Sequence, residues 1–110
     1  MEMRQCLISS NTATEGVLEI RLGGNINITE VKDNTNGVYP LILLETIDRK
    51  YQKLVINMSR VNYAHHGLVD VIRHVSADIG KEGKTLEVRN VYNQPQIIME
   101  KLGIIYENQF

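Results

Sequence analysis

Histidine is the residue of this chain best suited to reactive chemistry, and it occurs three times. His65 and His66 are adjacent within "VNYAHHGLVDVIRHVSADIG", residues 61–80, and His74 follows on the same run. Imidazole trades protons near neutrality and ligates transition metals through either ring nitrogen. Asp70 stands four residues after His66, a spacing that brings two side chains together on one helical face, so acid–base or phosphohistidine chemistry is open to the pair. Metal binding asks for more. Three or four donors must converge within a few ångströms, whereas His66 and His74 are about 12 Å apart along a helix. There is no second cysteine and no His-x-x-x-His pair, and neither a Gly-x-Ser-x-Gly elbow nor a Gly-rich phosphate loop occurs. The residues therefore predict no catalytic group, no metal and no cofactor. They predict exposed histidines that meet solvent or a partner.

The rest of the composition narrows the class. At 110 residues the chain forms one domain, 1–110, with 43% hydrophobic and 23% charged residues, an ordinary globular balance. A net charge of −1 gives no field for nucleic acid or an anionic membrane, and the densest basic cluster, Asp48–Arg49–Lys50, carries its own acid. The single cysteine, Cys6, lies in an apolar run and reads as a small core residue in a reducing, cytoplasmic setting. "MEMRQCLISS" lacks the apolar stretch of a signal peptide, and the run Leu41–Leu44 is too short to cross a bilayer, so no membrane insertion is expected.

Several elements must position the histidines. "MRQCLISSN" and "VLEIRLGGNIN" read as strands joined by the turn-rich "TATEG", an antiparallel hairpin. "ITEVKDNTNGVYP" has no apolar periodicity and reads as a loop or a poorly formed helical turn, with "NTNG" at 34–37 as a turn signal. Pro40 opens the helix "PLILLETIDRKY", whose core stripe would be Leu43, Leu44 and Ile47. "KLVINM" is a short buried strand. In the helix after the histidines, Leu68, Val71, Ile72, Val75 and Ile79 fall within an arc of about 100°, leaving His66, Asp70, Arg73 and Ala77 along the other side. Gly80 and Gly83 close it, "KTLEVRNV" is another strand, and "NQPQIIMEKLG" is a last helix capped by Gly103. The expected fold is α/β: a mixed sheet of four or five strands with an initial antiparallel hairpin and three helices mainly on one face.

In order and spacing, "VLEIRLGGNIN", "KLVINMSRVNYAHHGLVDVI" and "GKTLEVRNVYNQPQIIMEKLGI" resemble the STAS domain of anti-sigma factor antagonists, over residues 5–106. Arg21, Leu22, Gly24 and Ile26 approximate that family's Arg-Leu-x-Gly-x-Leu, and "MEKLGI" its closing Leu-x-x-Gly-Leu. The resemblance implies a bacterial, cytoplasmic, non-catalytic interaction module. It would bind a protein partner, an anti-sigma kinase or related regulator, through Ala64, His65, His66 and Gly67 with Asp70, Arg73 and Ala77, and could form a homodimer. In the family a Ser or Thr after an Asp in this loop is phosphorylated by the partner. Here the counterpart is His65 or His66, and "AHHG" holds no hydroxyl, so phosphoserine control is chemically impossible at this loop. An accessory role in a transport or stress-signalling complex is the alternative. Ser59 is the nearest hydroxyl on the strand side.

Overall fold

Alternating apolar and charged residues from Val17 onward produce the second strand of the sheet. In the computed structural model, which describes residues 7–14 (backbone alone), 16–33, 35, 37–47 and 50–108, Val17–Ile26 forms β2 and buries Leu18, Ile20 and Leu22 on one face. β1 (Leu7–Thr14) pairs antiparallel with it. The link between them is shorter than "TATEG" suggests, because Thr12 and Thr14 belong to the strand, as β-branched residues favour. β3 (Lys53–Ala64), β4 (Thr85–Arg89) and β5 (Tyr106–Glu107) follow in the order β1-β2-β3-β4-β5, each parallel to the one before. The sheet is thus in the main a four-stranded parallel one, β2 to β5, with β1 antiparallel at one edge.

β3 runs well past "KLVINM". Its second half continues to pair with the end of β2, Arg60 opposite Gly23 after one register shift and Ala64 opposite Ile26 after a second. Leu54, Ile56 and Met58 face the helices, while Val55 and Asn57 lie on the other side of the sheet. There Val55 sits in the row between Glu19 and Glu87. Charged side chains cover it: Lys53 Nζ lies 2.9 Å from Glu87 Oε1, Arg89 pairs with the other Glu87 oxygen, and Asn57 Nδ2 donates to Glu19 Oε2 at 3.1 Å. The Arg89 and Lys53 bonds hold the Glu87 carboxyl below its ordinary value of 4.5, against an opposing desolvation cost.

Four helices, not three, accompany the sheet. The addition is α1 (Ile28–Lys32), in the segment expected as a loop. Its start is marked by Asn27 and Glu30: the Asn27 N–H donates to Glu30 Oε1 at 2.8 Å, half of a capping box. α2 (Val38–Thr46) begins two residues before Pro40 and buries Val38 and Ile42. Leu44 and Ile47, expected inward, are each 64% exposed. A helix apolar on every side carries no periodicity from which to choose its buried face. α3 (Gly67–Gly80) buries all five expected residues and Val69 as well. α4 (Asn93–Lys101) buries Pro95 and Met99, and Gly103 follows with φ +78°. Met3–Cys6, Asn34, Asn36, Asp48 and Arg49, and with them the readings placed on Cys6, the 34–37 turn and the basic cluster, lie outside the described residues.

Candidate functional site

Parallel pairing brings the carboxyl ends of β2 and β3 side by side, and the histidines leave the sheet there. The His65 N–H donates to Ile26 O at 2.8 Å. One residue earlier, both backbone groups of Ala64 are taken by a single side chain: its N–H donates to Gln94 Oε1 at 2.8 Å, and Gln94 Nε2 donates to its carbonyl at 3.0 Å. Asn108 does the same for Val91, at 2.8 and 3.0 Å. Each side-chain amide supplies the donor and acceptor that a neighbouring strand would otherwise offer. Ala64 is fully buried. As part of an exposed 64–67 contact it must be corrected: a strand-end methyl under the sheet rim anchors the loop and offers no side-chain surface.

His65 is half-buried and structural. Its Nδ1 accepts the Gly67 N–H at 3.0 Å, which leaves the ring proton on Nε2. The carbonyls of His65 and His66 accept the N–H groups of Leu68 and Val69, so the first turn of α3 spends its donors internally. His66 is exposed, its ring centroid 4.1 Å from that of His65. Gly67 is where α1 comes closest: a Cβ there would stand 2.9 Å from Val31 Cγ1 and 3.2 Å from His65 Nδ1. The sequence places glycine where two elements leave no room for a methyl.

Between α1, α2 and the first turns of α3 runs a groove of about 420 Å³. His65, His66, Asp70 and His74 line it from the loop and α3, Lys32 from α1 and Tyr39 from α2. Tyr39 ties α2 to α3: its hydroxyl donates to Asp78 Oδ2 at 2.5 Å, and its ring lies 4.8 Å from that of His74. His74 Nε2 is in turn 3.9 Å from the same carboxylate. The hydrogen bond to Asp78, with burial and the nearby charge adding to it, raises the Tyr39 pKa above 10.0. Lys32 and Tyr39 were missed as site residues because their neighbours in space are far off in sequence, and His74 was weighed only as a metal ligand. The Asn27/Glu30 cap was the available signal for α1.

Along the outer face of α3, Asp70, Arg73 and Ala77 are all exposed, and the Arg73 guanidinium reaches across to donate to Leu102 O at the end of α4. Its charge serves a helix C-terminus, where it complements the dipole. Among the described residues no three His, Cys, Asp or Glu side chains gather closely enough to hold a metal ion. No described helix is long and apolar enough to cross a membrane. Ser59 is exposed, with its N–H bonded to Asn57 Oδ1 at 3.0 Å, about 16 Å up the strand from Ala64.

No protein-family model and no curated protein sequence matches this chain. Solved structures do. The anti-sigma factor antagonist SpoIIAA, in its unphosphorylated form, matches with a TM-score of 0.74 and 12% identity over 93% of this chain and 87% of that one. SLC26A9 matches with a TM-score of 0.52 and 15% identity over 84% of this chain, which spans 18% of that protein. Likeness at such identities is likeness of fold. The chain is an α/β protein built on the fold of the anti-sigma factor antagonist SpoIIAA, the STAS fold, with no Ser or Thr at residues 64–67 where the resemblance sets the phosphoacceptor.

Proposed function

We propose that this protein is a non-catalytic interaction module that docks a regulatory protein, an anti-sigma kinase or a related regulator, around His65–Gly67 and the outer face of α3. It does so in the cytoplasm and without phosphoserine control. The observation that carries the reading is a hydrogen-bonded loop that opens onto an accessible groove while offering no hydroxyl and no nucleophile–base pair. Ala64 and Arg73 support the surface from beneath and beside it, and His66, Asp70 and Ala77 present it.

Capture of the partner from the native cell, followed by calorimetry, tests the proposal. Asp70→Trp and Ala77→Trp should each fold, since exposed substitutions change stability by less than about 0.5 kcal/mol. Each should weaken the partner at least tenfold, which corresponds to roughly 1.4 kcal/mol. Ile72→Asp should abolish folding by burying an unpaired charge. Incubation with ATP and the partner kinase should leave residues 64–67 free of phosphoserine and phosphothreonine. Unchanged affinity in both tryptophan variants would remove the docking surface from α3. A second reading, an accessory subunit of a transport complex, draws on the likeness to SLC26A9. It gains if the captured partner is a transporter component.

A further inference from the structure

β4 ends opposite Asn57, yet β3 runs on to Ala64. Beyond Asn57 no described strand pairs with β3 on that side. At Ala64 the place of a strand is taken by one residue of α4, Gln94, whose amide holds both backbone groups. Gln94 is itself aimed. Asn93, immediately before it, is left-handed at φ 58°, and Asn90 at φ 61°. Among the described residues no other side-chain-bearing residue has a positive φ, and strain of this kind persists where the surrounding structure demands it, commonly at functional sites. Pro95 follows and restricts the backbone of the residue before it. The helix gains little from this: its N-cap, Tyr92, makes no side-chain cap bond, and the Gln94 amide goes to β3 instead of to the helix's own donors. The arrangement serves the end of β3.

We infer that Gln94 is a positioning residue for docking: it sets where β3 ends, and so how His66, Asp70 and Ala77 are presented, acting through Ala64 and not through contact with the partner. The inference rests on the docking function proposed above and names what orients its surface. The path is short. Ala64 is followed directly by His65, whose Nδ1 accepts the Gly67 N–H and whose carbonyl accepts the Leu68 N–H that opens α3. A shift of the strand end therefore carries the first turn of α3 with it.

Two variants, checked for folding by circular dichroism, separate the atoms of the amide. Gln94→Leu keeps the bulk and loses both bonds. Gln94→Glu keeps the acceptor for the Ala64 N–H, but its carboxylate cannot donate and sets an oxygen against the Ala64 carbonyl, whereas the protonated acid regains a donor. In two-dimensional NMR at neutral pH both should displace the amide signals of residues 64–69 more than those of residues 53–57. In Gln94→Glu the signals should return toward wild type as pH falls through the ordinary glutamate value of about 4.3, with wild type titrated alongside as baseline. The captured partner protein should bind Gln94→Leu at least fivefold more weakly, while Glu87→Gln, altered on the opposite face of the sheet, binds as wild type does. Wild-type loop signals in both variants, a glutamate variant that acid does not restore, or equal weakening by Glu87→Gln would each overturn the inference. A partner weakened by Ala77→Trp but not by Gln94→Leu would overturn it while the docking function stands. A partner that ignores all of these variants would overturn both.

Discussion

The Cβ that Gly67 lacks would stand 2.9 Å from Cγ1 of Val31, so the loop and α1 are fitted to each other at a distance real side chains do not share. Gly67→Ala should destabilise the protein by about 1–3 kcal/mol, as overpacking does. Adding Val31→Ala removes the obstructing methyl and should recover much of that loss, giving a favourable coupling in a double-mutant cycle of urea unfolding. A glycine needed only for chain flexibility would show no coupling. That outcome would place the constraint elsewhere.

Tyr39 and Asp78 hold α2 on α3 through a 2.5 Å hydrogen bond. Tyr39→Phe should cost about 1 kcal/mol at neutral pH. The phenol pKa is raised in the fold, so this contribution is complete below the ordinary value of 10.0 and disappears as pH climbs through the higher folded value. Unfolding curves of wild type and variant should converge in strong alkali. A constant gap across that range would mean that the ring, not the hydroxyl, supplies the stability.

Glu87 makes the opposite prediction at the acid end. Its carboxyl is held low by Arg89 and Lys53, so its share of stability is complete above the ordinary 4.5 and fades as pH falls through the lower folded value. Glu87→Gln should lower stability by about 0.5–1 kcal/mol at neutral pH, the range of partly exposed ion pairs. Thermal scans carried progressively into acid below the ordinary 4.5 should show the gap between the two proteins closing. A wider gap in acid would contradict the assignment.

Much of this arrangement was legible in the sequence where polar and apolar residues take turns. β2 and α3 each show one face to the core, and every residue assigned inward on α3 is buried. α2 defeated the same reasoning. With Val38, Leu41, Ile42, Leu43, Leu44 and Ile47 distributed all round, nothing local says which side the sheet will take. The site was half legible. His66, Asp70, Arg73 and Ala77 follow from the α3 pattern and are exposed, although the bond from Arg73 to Leu102 O was not foreseen, whereas Ala64, placed in the contact by the family resemblance, is buried and held by Gln94. The far wall of the groove, Lys32 and Tyr39, depends on how α1 and α2 fold back over α3, which only tertiary packing decides.

The amides of Gln94 and Asn108 give the rim of the sheet a separate clock. Elsewhere a backbone N–H in β3 is released only when strands part, a cooperative event tied to global unfolding. At Ala64 and Val91 release needs no more than rotation about the bonds of one side chain, a motion of picoseconds to nanoseconds when exposed and slower when packed. The strand end from which the histidine loop departs can thus loosen and close again many times while the hydrophobic centre stays shut. Mobility at the loop's root and rigidity in the core are governed by different bonds, and evolution can tune one without touching the other.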